Sequence, residues 1–273
     1  MNNPLDHSGR VVLVTGGTKG IGRGIARRYA EMGATVVVCG RSAPDLDGPV
    51  AVAAAEPTAE PAATPGAVHQ PDFVTCDVGD TDQVTALVDT IVERHGRLDV
   101  AVNNAGGAPY AESATVSPRF NESIIRLNLL APFTVAQAAN RVMQAQPEGG
   151  AIVNIASISG TRPSPGTAAY GAAKAGLINL TQTLAVEWAP LVRVNAVVAG
   201  LVATDQAHLH YGDDAAIARV AATVPAGRLG APSDVADACL YLSSHAAPFV
   251  TGAALTVHGG GERPAYLGAV DGG

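Results

Sequence analysis

Five residues rich in β-branched side chains, Val11, Val12, Leu13, Val14 and Thr15, run directly into Gly16-Gly17-Thr18-Lys19-Gly20-Ile21-Gly22. Residues 21–32 then show helical periodicity that stops at Gly33, and 35–39 form a second buried strand. The result is a βαβ unit of about 30 residues, the size of a nucleotide-binding half. Glycines at 16, 20 and 22 permit a tight turn and a close backbone approach, and the helix N-terminus offers free amides and a partial positive charge. A glycine cluster alone is a weak signal and can be a structural turn. After a strand, before a helix and inside a βαβ unit, it points to a pyrophosphate site.

The alternation continues along the chain. Strands are expected at 72–76, 98–102, 151–156, 192–197 and 253–257, and helices at 81–95, 120–146, 168–188, 206–223 and 232–245, with Pro132 expected to break the long one in two. Strands alternating with helices mean a parallel sheet covered on both faces. The fold expected is α/β: a single domain over 1–273, with a doubly wound parallel sheet of about seven strands. Residues 42–71 interrupt the pattern with Pro44, Pro49, Pro57, Pro61 and Pro65 among Ala, Glu and Thr. An interior proline costs a helix about 3 kcal/mol, so this stretch reads as a surface insertion, with one helical turn near 50–55.

Composition narrows the class. The chain is 47% hydrophobic but only 4% aromatic, with 31 glycines, which suits short strands packed closely under helices. Its net charge is −7 and its Lys and Arg residues are scattered, whereas a nucleic-acid binder needs a basic stripe. Cys39, Cys76 and Cys239 have no paired spacing, so neither a disulfide framework nor a metal site is expected. The polar first ten residues lack a signal peptide's apolar stretch, and no apolar run reaches the roughly 20 residues of a membrane span. A cytoplasmic location is the expectation.

The end of the second strand bears on which dinucleotide fits. An NAD site usually places a carboxylate about 20 residues after the glycines, on the ribose hydroxyls. Here Gly40 stands there, followed by Arg41 and Ser42. Arg41 can pair with a 2′-phosphate, Lys19 can reach the same region, and no carboxylate repels it. The competing reading is two solvated surface charges. NADP(H) is therefore expected over NAD(H).

Tyr170 and Lys174 are four apart in an expected helix and so share a face. A tyrosine titrates near 10, and proton transfer near neutral pH requires its phenolate to be stabilised by roughly 3–4 kcal/mol. A nearby ammonium is expected to do this. Ser157 ends a strand on the carboxyl edge, where its hydroxyl can bond a substrate oxygen, with Ser159 as its rival. Asn128 lies in the preceding long helix and could hold a water that relays protons to Lys174. Taken singly, each could be a polar residue satisfied by local backbone.

Taken together, Thr15-Gly16-x-x-x-Gly20-x-Gly22, Asn103-Asn104-Ala105-Gly106, Asn128, Ser157 and Tyr170-x-x-x-Lys174 resemble the short-chain dehydrogenase/reductase family, from about residue 10 to 260. The resemblance implies a Rossmann fold and hydride transfer between nicotinamide and a carbonyl or secondary alcohol. It implies Tyr170 as general acid/base, Lys174 as its activator and a ribose ligand, Ser157 as donor to the substrate oxygen, and Asn128 as water holder. Cofactor contacts carried over in the same way are Gly16, Thr18, Lys19, Gly20, Ile21 and Gly22, with Arg41 and Ser42. Further contacts are Asp77 and Val78 at the adenine, Asn104, Ala105 and Gly106 beneath the adenosine ribose and phosphates, and Val202 and Thr204 at the carboxamide and diphosphate. One departure is Ala199-Gly200, where the family usually has Pro-Gly, so a looser turn is expected beside the nicotinamide.

The substrate wall is expected from 107–112, 158–166 and 202–223, with Tyr110, Arg162, His208, His210 and Tyr211 as candidates. The two histidines lack a third ligand, so no metal is expected. A 3-oxoacyl-thioester reductase, on acyl-carrier-protein or CoA substrates, is the leading alternative. An acidic carrier protein favours a basic entrance, and the helix after Lys174 carries no Lys or Arg before Arg193. A non-catalytic NADP(H)-binding sensor is the alternative of another class, disfavoured because all four catalytic residue types are kept. A homotetramer is expected, with the small residues Ala172, Ala173, Ala175 and Gly176 permitting close helix approach.

Overall fold

Strand β1 (Val11–Thr15) is buried on both sides, which is why it reads as a continuous apolar run. Val11 and Leu13 enter one core, while Val12 and Val14 enter the other. The computed structural model describes residues 3–43, 70–205, 207–262 and 264, with no side-chain placement for 209 and 210. Nearly all of the proline-rich insertion, including the turn expected at 50–55, lies outside the described residues, as does position 206.

The other strands are β2 (Thr35–Gly40), β3 (Asp72–Thr75), β4 (Val100–Asn103), β5 (Gly150–Ser157), β6 (Val192–Ala199) and β7 (Ala254–Val257). They form one seven-stranded sheet in the order β3-β2-β1-β4-β5-β6-β7, and every pairing is parallel. The strand order reverses between β1 and β4, so a crevice opens at the carboxyl ends of those two strands. This is the Rossmann architecture expected.

Helices α1 (Gly20–Glu31) and α8 (Pro232–Ser243) cover one face, around Ile25, Tyr29, Val235 and Leu240. Helices α2 (Thr81–His95), α4 (Ala131–Met143) and α5 (Ala168–Glu187) cover the other, around Leu87, Ile91, Met143 and Leu184. Each fully buried aliphatic side chain is worth about 1.5–3 kcal/mol. The ends of α2 are written in the sequence: Asp80 accepts from the amides of Asp82 and Gln83, and Gly96 ends the helix at φ 75°.

Two helices differ from expectation. The long one breaks, but not at Pro132, which sits in the first turn of α4 where its missing N–H is not needed. The break is a single π-helical turn, Arg126–Leu130, following α3 (Pro118–Ile125). The helix expected over 206–223 is two, α6 (Ala207–Tyr211) and α7 (Asp214–Thr223). Gly212 between them adopts φ 87°, and Asp213 caps α7 by accepting from the Ala216 amide at 2.8 Å. No helix among the described residues is long and apolar enough to cross a membrane.

Candidate active site

At the crevice, β1 and β4 are stitched together by two polar side chains. The buried Thr15 hydroxyl accepts from the amides of Asn104 and Ala105, both at 3.0 Å. Asn104 Nδ2 donates to the Thr15 carbonyl at 2.9 Å and to that of Gly16 at 3.2 Å. The loop is so close-packed that a Cβ on Gly22 would lie 2.2 Å from the Gly16 oxygen, and one on Gly17 would lie 2.5 Å from Val38 Cγ1. Gly20, at φ 53°, meets nothing nearer than 3.6 Å. Lys19 precedes α1 in an extended conformation without a side-chain cap, so the helix presents its first amides to the crevice.

Thr18 lies beside the end of β2: a Cβ on Gly40 would stand 3.7 Å from its hydroxyl. Arg41 and Ser42 follow and are exposed. On the far side, Asp77 accepts from the Gly79 amide at 2.9 Å, and Val78 is buried. Ala105 leaves β4 under the glycine loop, and Gly106 follows it beside Asn128 and Lys174. Val202 is buried and bridges to Gly230, while Thr204 lies against Gly20. Gly16, Gly20, Gly22, Asn104, Ala105 and Thr204 are thus brought together at the carboxyl ends of β1 and β4. The Ala199-Gly200 turn is held by the Gly200 amide donating to the Val257 carbonyl at 2.9 Å.

Further along the carboxyl edge stand the four polar residues. Ser157 ends β5 and starts a 3-10 turn, accepting from the Ser159 amide at 3.2 Å. Ser159 thus serves the turn that positions Ser157. Tyr170 and Lys174 both come from α5, with the Lys174 ammonium 5.5 Å from the centre of the Tyr170 ring. Lys174 is buried and donates to the Ile155 carbonyl at 2.8 Å, and burial pulls its pKa down to about 8. Burial pushes the Tyr170 phenol above its ordinary value, although Ser157 draws it back. Without a ligand, loss of solvent around the phenolate outweighs its polar neighbours.

Asn128 belongs to the π turn and is fully buried. Its Nδ2 donates to the carbonyls of Gly107 at 2.9 Å and Ile124 at 3.0 Å, and its Oδ1 accepts from the Gly107 amide at 2.8 Å. The side chain clamps the loop leaving β4. A Cβ on Gly106 would lie 2.6 Å from Asn128 Oδ1 and 3.4 Å from Lys174 Nζ, so the clamp and the ammonium flank the same residue.

Of the wall candidates, Tyr211 comes near Tyr170, each burdened by burial and the first adding to the second's upward shift. Tyr110 is 75% exposed and lays its ring over Gly166. Arg162 pairs with Glu262, and His208 bonds the Gly212 carbonyl at 3.1 Å. The His210 side chain lies outside the described residues. A cleft of about 370 Å³ opens beside Tyr170 between α3, the start of α5 and the 108–116 loop, and no charged side chain among the described residues lines it. Among the described residues no group of three or more His, Cys, Asp or Glu is placed to hold a metal.

Sequence reasoning overlooked a buried polar chain. Asn103 donates to Asn154 Oδ1 at 2.9 Å and to the Pro132 carbonyl at 3.0 Å, and Asn154 donates to Thr181 at 2.9 Å. It links β4, β5 and α5, the three elements that carry the site. Asn154 within an otherwise apolar strand was the available signal.

Comparisons with known proteins bear on the family and the fold. The family profile described as Enoyl-(Acyl carrier protein) reductase matches residues 16–262. The chain is 38% identical over 252 residues to L-rhamnose 1-dehydrogenase (NAD(P)(+)) of Azotobacter vinelandii, covering 92% of this chain and 96% of that one. It is 36% identical over 252 residues, with the same coverage, to the 3-oxoacyl-(acyl-carrier-protein) reductase FabG of Chlamydia trachomatis. The solved aldohexose dehydrogenase of Thermoplasma acidophilum superposes with a TM-score of 0.80 at 31% identity, covering 94% of each chain. Profile, relatives and sheet together define an oxidoreductase on a Rossmann fold. The chain belongs to the short-chain dehydrogenase/reductase family.

Proposed function

We propose that the protein is an NADP(H)-dependent oxidoreductase, one domain throughout, acting on a carbonyl or secondary alcohol of a small molecule. The observation that carries this reading is the buried Lys174 ammonium beside Tyr170. Among the described residues no carboxylate pairs with it, and it donates to the Ile155 carbonyl at 2.8 Å. A buried cation so sparsely compensated is costly, and the hydroxyls of a cofactor ribose would supply the missing acceptors. The uncapped amides of α1 suit a diphosphate in the same way.

The residues that would hold the dinucleotide are Gly16 and Thr18 to Gly22 at the diphosphate, with Thr204, and Asn104 to Gly106 beneath the adenosine ribose. Asp77 and Val78 would flank the adenine, Val202 the carboxamide, and Tyr170 and Lys174 the nicotinamide ribose. Arg41, Ser42 and Lys19 would take the 2′-phosphate, since Gly40 leaves no carboxylate at the end of β2 to repel it. Bound there, the cofactor supplies or accepts the hydride and, when oxidised, adds a positive charge.

The chain's own residues handle the proton. Ser157 donates to the substrate oxygen and steadies its developing charge. The Tyr170 hydroxyl delivers its proton to that oxygen in reduction and takes it back in oxidation. Lys174 stabilises the resulting phenolate, and Asn128 holds the adjoining loop in register. NADPH consumption against a panel of ketones tests the reading, wild type beside Tyr170→Phe. Turnover abolished in the variant, with cofactor binding kept, supports it; binding without turnover across the panel in the wild type favours a sensor.

A second reading, 3-oxoacyl-thioester reduction, is favoured by the profile's description and by the FabG relatives. Against it stands the absence of Lys or Arg on α5 apart from Lys174 itself. Assays with 3-oxoacyl thioesters of CoA and of carrier protein separate the two. A homotetramer belongs to the same proposal, supported by the exposed apolar side chains of Leu130, Val186 and Phe249; light scattering reads it directly.

A further inference from the structure

Asp205 brings a carboxylate against the phosphate end of the crevice. A Cβ on Gly20 would stand 3.7 Å from its Oδ1, so the segment after β6 lies against the first residue of α1. Its Oδ2 is 3.6 Å from Nη2 of Arg23, one turn along that helix. Two residues beyond Asp205, α6 begins, and it ends at Tyr211, within electrostatic reach of the Tyr170 phenol. One short segment therefore spans from the phosphate end to the proton-transfer end.

The placement carries an electrostatic conflict. The N-terminus of α1 attracts anions, and Asp205 occupies the rim of that field before any ligand arrives. A diphosphate entering the same field would meet a like charge, a repulsion that a nearby cation offsets. Arg23 is that cation.

Resting on the dinucleotide reading above, we propose that Asp205 is a positioning residue held by Arg23. The pair tethers the α6 segment to the phosphate cradle and moderates affinity for ligands that carry a diphosphate. Arg23 acts by neutralising Asp205 and not by grasping the phosphates.

Calorimetric titration of NADP⁺ and of 2′-AMP, which lacks the diphosphate, tests this on the full chain and on the Arg23→Gln, Asp205→Asn and double variants. Exposed pairs contribute little to folding, so all four are expected to fold. Arg23→Gln should weaken NADP⁺ binding about fivefold and Asp205→Asn should tighten it about threefold, on the scale of a screened charge pair. The double variant should match Asp205→Asn within about twofold, 2′-AMP should respond to none of them, and amide exchange over 201–211 should speed up in Asp205→Asn.

A weakening by Arg23→Gln that persists in the Asp205→Asn background would show that Arg23 binds phosphate directly and overturn the proposal. So would NADP⁺ affinity unchanged in Asp205→Asn, or 2′-AMP responding in parallel. A wild type that binds neither NADP⁺ nor NAD⁺ would instead overturn the dinucleotide reading, and this inference with it.

Discussion

The Lys174 ammonium sits 5.5 Å from the centre of the Tyr170 ring while donating to the Ile155 carbonyl at 2.8 Å. Both side chains leave the same face of α5, yet the ammonium is anchored to the sheet and not to the phenol. In the ligand-free chain the two groups consequently stand apart in their titration: the lysine is drawn down to about 8 and the tyrosine is pushed up. Burial disfavours the charged form of each, and a bound ligand would have to supply what solvent no longer does.

Replacing that lysine should separate stability from activity. The folded pKa of Lys174 lies below the ordinary 10.5, so the unfolded chain binds the extra proton. Its burden is full below pH 8 and is relieved as pH rises from about 8 toward 10.5. Lys174→Met should therefore stabilise the ligand-free protein at pH 7, by at most about 3 kcal/mol, while abolishing turnover. Thermal melts at pH 7 and pH 10 check this; a variant less stable at pH 7 would contradict it.

The Asn128 clamp invites a different substitution. Asn128→Ala removes three hydrogen bonds and strands the Gly107 amide and two carbonyls. We expect a loss of about 1–3 kcal/mol and a fall in kcat larger than any change in KM, because the loop beside Lys174 loses its register. Urea denaturation and steady-state kinetics measure both. Should Asn128→Ala keep wild-type stability, the clamp is not what the side chain provides.

Cofactor choice is expected to follow the residue after Gly40. Arg41→Asp places a carboxylate where a ribose hydroxyl or a 2′-phosphate would lie, and it should swing the NADP/NAD ratio of kcat/KM toward NAD by at least about tenfold. Parallel titrations with both cofactors decide it. An unchanged ratio would mean that the 2′-phosphate is held elsewhere.

Far from the crevice, His7 is a buried acid-sensitive contact. Its Nδ1 meets the Leu5 carbonyl at 2.8 Å and its Nε2 meets Ser243 Oγ at 3.0 Å, while the Tyr29 hydroxyl meets the same Oγ at 2.7 Å. Asp6, Arg10 and His245 are its charged or titratable neighbours, and burial, the largest influence, holds His7 below its ordinary 6.5. The folded state thus binds the proton less readily, so stability falls as pH drops from 6.5 toward the lowered value. Melting temperatures between pH 5 and 7, roughly the histidine range, should flatten in His7→Phe after correction for its own offset.

Much of this was legible before any coordinates. The run Val11 to Thr15, the glycines behind it and the strand–helix alternation specify a parallel sheet, because each depends on neighbours close in sequence. One expected helix came out as two where a positive φ and a cap decided it, at Gly212 and Asp213. The π turn around Asn128 was not readable, since nothing in Arg126–Leu130 forbids an ordinary helix, and the bonds from its Asn128 to Gly107 join segments distant in sequence.

The amino-acid order by itself determined which side chains could reach the carboxyl edge: Ser157 at a strand end, Tyr170 and Lys174 one helical turn apart, and glycines where α1 begins. Tertiary structure alone decided how those groups are charged and held. Burial raised one proton affinity and lowered the other, Asn128 became a clamp on backbone 21 residues away, and Asp205 met Arg23 across the crevice. Such effects depend on solvent exclusion and on contacts between distant segments, which a linear pattern does not encode.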